Sequence, residues 1–173
     1  MLPGKKIRLR PKQIEDALND YSWRVDPELA RLDAATPLTC SFEEYRAGYD
    51  QELLYSPNQH YCFAIETPEG KHIGNCLCFG VDKVRKQAEM GIVIGDRDCW
   101  NKGYGPDAII TLLNHIFAET DLERIYLKTL EWNTRAQKCF AKCGFLPCGH
   151  LVNSGHKFIL MEVRCQQWPH LQP

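Results

Sequence analysis

The residues whose types and spacing could do chemistry are concentrated in one stretch, Gly91-Ile92-Val93-Ile94-Gly95-Asp96-Arg97-Asp98-Cys99-Trp100-Asn101-Lys102-Gly103-Tyr104-Gly105-Pro106. It begins as a short apolar run and ends with two glycines two apart, just ahead of an amphipathic helical pattern. A strand that passes through such a loop into a helix gathers unpaired N–H groups and the positive helix end at one point, an arrangement that holds an anion. Gly103 and Gly105 let the main chain approach a pyrophosphate, and Lys102 adds a cation there. The same loop also reads as a tight strand-to-helix turn and nothing more. Two other phosphate loops are disfavoured. Position 108 is Ala where G-x-G-x-x-G would have its third glycine, and no early strand leads into the loop as in a dinucleotide fold. The G-x-x-x-x-G-K-S/T pattern of a nucleoside triphosphatase is absent.

The elements that must position this loop follow from periodicity. Ala88 to Gly95 reads as a strand. Ala108, Ile109, Leu112, Leu113, Ile116 and Phe117 share one face of the following helix, which stops near Asp121. Upstream, Lys6 to Arg10 alternates as an edge strand and Pro11 to Tyr21 has helical spacing with Pro at its start. Ser41 with Glu44 is a capping box opening a helix from Phe42 to about Leu54, ended by a loop at Pro57 and Asn58. His60 to Glu66 and Lys71 to Val81 read as a hairpin about Thr67-Pro68-Glu69-Gly70. Downstream, Arg124 to Leu130 is a strand, and Asn133 or Thr134 caps a helix that runs to Lys142 and stops at Cys143-Gly144. Phe145 to Val152 and Lys157 to Arg164 close the chain as a hairpin about Asn153-Ser154-Gly155. The order β-α-α-β-β-β-α-β-α-β-β predicts a single α/β or α+β domain over residues 1–173, with about seven strands and about four helices.

The chain has 173 residues, 44% hydrophobic and 25% charged, enough for one well-buried core. Its 21 Lys and Arg against 22 Asp and Glu leave a net charge of −1, which gives no global field for nucleic acid or an anionic membrane. No apolar run approaches the roughly 20 residues of a bilayer span. Residues 1–10 carry Lys5, Lys6, Arg8 and Arg10 without an apolar segment or a signal-cleavage pattern, so a cytoplasmic location is expected. Nine cysteines, an odd number without paired C-x-x-C spacing, read as small buried hydrophobes. No metal is expected, and a zinc or redox protein ranks last. Residues 11–60 hold ten acids and four bases, a net −6, and form an acidic lobe.

Trp100-Asn101-Lys102-Gly103-Tyr104-Gly105 resembles the Gln/Arg-x-x-Gly-x-Gly/Ala loop of the GCN5-related N-acetyltransferase (GNAT) superfamily, with Trp100 in place of the Gln or Arg. In that form it is similar to the ribosomal-protein alanine acetyltransferase branch. Asn133-Thr134-Arg135-Ala136 and Lys142-Cys143-Gly144-Phe145 resemble the superfamily's Asn-x-x-small and Lys-x-Gly-Phe pattern, and the likeness extends from about Ile7 to Val163. The resemblance implies a mixed, mostly antiparallel twisted sheet whose central strands, Ala88 to Gly95 and Arg124 to Leu130, splay to admit the pantetheine arm of acetyl-CoA. It implies backbone contacts from Val93, Ile94 and Gly95, pyrophosphate on the amides of Asn101, Lys102, Gly103, Tyr104 and Gly105, and Asn133 on the opposite side. A plain buried central strand is the competing reading of Gly91 to Gly95.

Acetyl transfer needs a base for the amine, a donor for the developing oxyanion and a proton for the thiolate. Glu89, alternating with Gly91 and Val93, is the candidate base, directly or through water; it reads equally as a salt-bridged strand carboxylate. Where many family members place a general-acid Tyr this chain has Phe140. The thiolate then leaves unassisted, or a neighbour such as Tyr104 or Cys139 substitutes, although Cys139 reads better as a packed helix residue. His115, His150 and His156 receive no role. The acidic lobe would draw in a cationic amine, such as a polyamine, an aminoglycoside or a basic peptide N-terminus, with Tyr21, Trp23, Phe42 and Tyr45 as apolar or cation–π walls. Those acids serve equally well as helix caps, and those aromatics as core. The expected activity is direct transfer from acetyl-CoA to a small cationic amine or a protein N-terminus in a ternary complex. A CoA-binding sensor without chemistry, suggested by Phe140, is the alternative, and a homodimer is a candidate assembly.

Overall fold

Alternating apolar residues and tight reversals produce an eight-stranded sheet in a computed structural model that describes residues 1–55 and 61–169. The strands are β1 (Leu2–Pro3), β2 (Arg8–Pro11), β3 (Cys62–Glu66), β4 (His72–Asp82), β5 (Gln87–Ile94), β6 (Arg124–Leu130), β7 (Leu146–Asn153) and β8 (His156–Arg164). Their order across the sheet is β1-β2-β3-β4-β5-β6-β8-β7. Every neighbouring pair is antiparallel except β5 and β6. A parallel pair needs a crossover, and α4 (Tyr104–Glu119) supplies it. The other α-helices are α1 (Ala17–Val25), α2 (Pro27–Leu32), α3 (Phe42–Tyr55) and α5 (Thr134–Lys142).

The core lies between α4 and the sheet. The six apolar residues expected on one face of α4 are all buried, against Leu9, Ile65, Ile73, Cys76, Met90 and Ile125 among others. Each buried Leu, Ile or Phe among them contributes about 1.5–3 kcal/mol by leaving water, which fixes the helix on the sheet far more firmly than its intrinsic propensity would. At its first turn the Asp107 carboxylate accepts from the backbone N–H groups of Lys5, Lys6 and Ile7, at 3.1, 2.6 and 3.2 Å. The basic N-terminal segment is thereby tied to the loop before α4.

Three details differ from the sequence reading. An eighth strand, β1, pairs Leu2 with Leu9. The first helix starts at Ala17, not Pro11, because Pro11 makes the last rung of β2 opposite Phe63. Asp16, which accepts from Arg10 and from the Gln13 amide, holds a short 3-10 turn in between. A fifth helix, α2, was not anticipated. Asp26 caps it, accepting from Glu28 and Leu29 N–H at 2.9 and 3.0 Å, with Pro27 in its first turn. The expected loop at Pro57 and Asn58 and the strand start at His60 lie outside the described residues. All nine cysteines are free thiols; four are buried and only Cys148 is exposed. Among the described residues no helix is long and apolar enough to cross a membrane.

Candidate active site

β5 and β6 are paired over three rungs only, Gln87 with Arg124, Ala88 with Ile125 and Glu89 with Tyr126. Beyond Glu89 the two strands run on, to Ile94 and Leu130, without pairing to each other. A cleft of about 580 Å³ opens there, walled by β5, β6, the start of α4, α5 and the end of α2. The splay that the resemblance implied is therefore present.

Backbone alternation decides which β5 groups face this gap. Gly95 N–H donates to the Ile73 carbonyl of β4 at 2.9 Å, and the Val93 carbonyl lies against Gly74. Gly95 and Val93 thus turn their polar groups toward β4, while Ile94 and Ile92 turn theirs toward β6. This corrects the expectation for the β5 trio. The Ile92 backbone and the Ile94 N–H are the contacts available to a ligand, the Ile94 carbonyl being taken by Trp100; Val93 lines the cleft, and Gly95 is outside its wall. Gly95 is needed for another reason: the indole of Trp23 lies so close that any Cβ there would collide with it.

At the mouth, Gly103 is the N-cap of α4 with φ +86°, a left-handed conformation that glycine adopts without strain. The helix-initial N–H groups of Tyr104 and Gly105 have no carbonyl of their own helix behind them. Asn101, Gly103, Tyr104 and Gly105 all line the cleft. A Cβ at Gly105 would project toward Cys139 Sγ at 3.6 Å and Ile94 Cγ1 at 3.8 Å, into the space between α4 and α5. Lys102 is exposed beside this wall and its carbonyl accepts from Lys6 Nζ at 2.9 Å. Cations missed by the sequence reading complete the mouth: Arg135, Lys138 and Lys142 of α5 line it, and Lys6 stands 3.3 Å from where a Gly103 side chain would begin. The signal was present, since residues at i, i+3 and i+7 share a helix face.

Trp100, the departure from the signature loop, has a definite place. Its Nε1 donates to the Ile94 carbonyl at 2.6 Å, and the Arg135 guanidinium lies 3.7 Å from the centre of its ring. It ties β5 to α5 across the cleft mouth. Asn133 spends its Oδ1 on capping α5, accepting from Ala136 N–H at 3.2 Å, and its residue lines the cleft from the far side.

Glu89 stands on the last paired rung, at the bottom of the splay, where its Oε2 is 3.0 Å from Lys128 Nζ of β6. Glu89 is outside the cleft lining; Lys128 is part of it. Phe140 packs edge-on against Phe145 with centroids 5.9 Å apart and lines the cleft. The neighbouring Cys139 thiol is pulled below its ordinary pKa by a hydrogen bond from Cys143, aided by Lys142 and Arg135 and opposed by burial.

The acidic lobe is mostly committed elsewhere. Asp16 and Asp20 are buried in a network with Arg10, Lys12, Asn75 and Tyr49. Asp26 and Glu28 pair with Arg97, and Glu44 closes the Ser41 capping box. Tyr21 of α1 packs at a tilt against both Phe42 and Tyr45 of α3, and Trp23 lies on His72. The acceptor walls expected from these aromatics are packing instead. Among the described residues, Asp33, at the end of α2, is the one acid of this lobe that lines the cleft. Asp33 is exposed at the rim, where the protein packed around it raises its pKa above the ordinary carboxylate value, Arg24 pulling the other way.

The fold and cleft define a class of α/β proteins in which a sheet opens between one parallel pair of strands. Within that class the chain belongs to the acetyltransferase (GNAT) domain family, whose model matches residues 6–146. It is 29% identical over 116 residues to the spermidine N(1)-acetyltransferase of Vibrio cholerae serotype O1, covering 64% of this chain and 66% of that protein. It is 26% identical over 155 residues to human alpha/beta-tubulin-N-acetyltransferase 9, covering 84% and 74%. Among solved structures it superimposes on the spermidine N-acetyltransferase of Vibrio cholerae in complex with CoA and spermine with a TM-score of 0.83. That match has 21% identity and covers 94% of this chain and 97% of the other. These relatives do not single out the ribosomal-protein alanine branch.

Proposed function

We propose that the chain transfers an acetyl group from acetyl-CoA to a primary amine by direct attack in a ternary complex. The observation that carries this is the parting of β5 and β6 after Glu89, which leaves the backbone groups of Ile92 and the N–H of Ile94 without a β6 partner in a cleft ending at the glycine-bearing start of α4. The residues fit the cosubstrate. The mouth offers free N–H groups, the Gly105 space and the α5 cations for its phosphates, and the interior offers strand-like backbone partners for an amide-bearing arm. When bound, acetyl-CoA supplies an acyl thioester carbon as the electrophile.

The chain's own residues then divide the work. Tyr104, Gly105, Lys102 and Arg135 hold the anionic end, and Ile92, Ile94 and Asn133 orient the arm. A primary amine near pKa 10 is protonated at neutral pH, and Glu89 at the bottom of the splay takes the proton that must leave before attack. Asp33 has no ion-pair partner among the described residues and suits a second positive charge on the acceptor, which favours a small polyamine-like substrate. The two relatives named for their substrates carry a polyamine and a tubulin. The test is a panel of polyamines, monoamines, aminoglycosides and peptides with free N-termini, incubated with acetyl-CoA while free thiol and product mass are followed. Saturable thiol release with at least one amine is expected. Background release with every amine, under conditions where CoA binds, would leave a CoA-binding module without chemistry, the reading that Phe140 favours.

A further inference from the structure

The ion pair at the bottom of the splay brings together three things that acetyl transfer requires: a primary alkylamine, a carboxylate and the deep end of the cleft. Lys128 lies two residues past Tyr126, the partner of Glu89, so period-two alternation puts its side chain on the same sheet face as Glu89. It is two positions beyond the last paired residue, and its four-carbon stem reaches back so that Nζ sits 3.0 Å from Glu89 Oε2. Lys128 lines the cleft while Glu89 lies behind it, and the lysine side chain is 36% exposed against 14% for the glutamate. An acceptor amine approaching Glu89 would meet a chemical equivalent of itself already in place.

We propose that Lys128 is an internal acetyl acceptor, acetylated in cis when acetyl-CoA is bound and no amine substrate is present. The proposal rests on the transferase reading above. Lys128 Nζ, as the ammonium, gives one proton to Glu89 and attacks the thioester carbonyl carbon. The N–C bond forms, the C–S bond breaks with its electron pair going to sulfur, and the nitrogen loses a second proton as the amide forms. One proton ends on the thiolate as CoA thiol and the other passes through Glu89 to solvent. Nothing is oxidised or reduced. Acetylation removes the lysine's charge and with it the pairing to Glu89, so the carboxylate becomes available to an incoming cationic amine.

The 173-residue chain, purified and freed of prior acetylation, is incubated with acetyl-CoA alone and followed by intact mass and by peptide mapping. CoA binding is measured separately by calorimetry. One acetyl group is expected at Lys128, appearing roughly a hundredfold faster than on the exposed lysines because amine and thioester are held together. Unfolding in urea should abolish that preference, Glu89→Gln should slow labelling by about tenfold or more, Lys128→Arg should remove the singly acetylated species, and saturating spermidine should suppress it. If the folded wild-type chain binds CoA and acetylates added amines while Lys128 is labelled no faster than exposed lysines, the inference is overturned and the transferase reading stands. If CoA does not bind and no amine is acetylated, both fall.

Discussion

Glu89 and Asp33 are the two carboxylates on which acceptor chemistry turns, and their settings separate their roles. Glu89 is held by Lys128 at the bottom of the splay, where a proton has to be taken, whereas Asp33 lines the cleft from α2 with no ion pair among the described residues, Arg24 acting on it only at longer range. Glu89→Gln is expected to lower kcat by roughly a hundredfold or more with little change in the affinity for CoA, measured by steady-state kinetics and calorimetry. An equal loss of CoA affinity would show that the residue builds the cleft instead. Asp33→Asn is expected to raise KM for di- and polyamines about tenfold and to leave KM for a monoamine near its original value, because only the former present a second charge to it. A uniform rise across both classes would remove Asp33 from acceptor recognition.

At the level of elements, α5 carries both a cap and a charged face, and the two can be separated by mutation. Asn133→Ala removes the side-chain cap and should destabilise the protein by about 1 kcal/mol in urea unfolding. Exchanging Arg135, Lys138 and Lys142 together for Gln leaves the cap intact. It is expected to weaken CoA binding about tenfold or more at low salt and to flatten its salt dependence, since exposed charges act through a screened field. A salt dependence unchanged from the parent chain would mean that the phosphates are held by the α4 start alone. Trp100 belongs to the same element pair, as the contact through which Arg135 is kept beside the mouth.

For the whole molecule, the buried polar network under α1 and α3 sets the response to acid. Burial pushes the Asp16 carboxyl up, but Arg10, the Gln13 amide and His72 together hold it below its ordinary 3.8. A carboxyl lowered on folding contributes stability that is complete above its unfolded value and lost as pH falls through the folded one. Burial also lowers the His72 pKa from 6.5, against the pull of Asp16, so the fold disfavours its protonation and stability declines as pH drops from 6.5 toward the lowered value. Urea midpoints are therefore expected to be level above about pH 6.5, to decline below it, and to fall more steeply below about pH 4. His72→Gln should remove the first decline and Asp16→Asn the second; midpoints independent of pH across both windows would contradict this account.

The sequence by itself determined the elements whose signals are local. Gly103 and Gly105 before the apolar stripe of α4, Asn133 ahead of α5 and the Ser41–Glu44 box are each read within a few residues, and each lies where it was expected. The Asp26-Pro27 cap of α2 was equally local and was passed over. Only the tertiary structure decided what depends on partners distant in the chain. The number of rungs between β5 and β6, the turning of Gly95 toward Ile73, the contacts of Asp16 with His72 and of Asp20 with Asn75, and the Lys128 ammonium on Glu89 each join residues far apart in sequence. A side chain's type fixes what it can bond, but which groups come within 3 Å of it is set by packing of the whole sheet. For that reason the loop was legible in the letters, while the occupant of its candidate base was not.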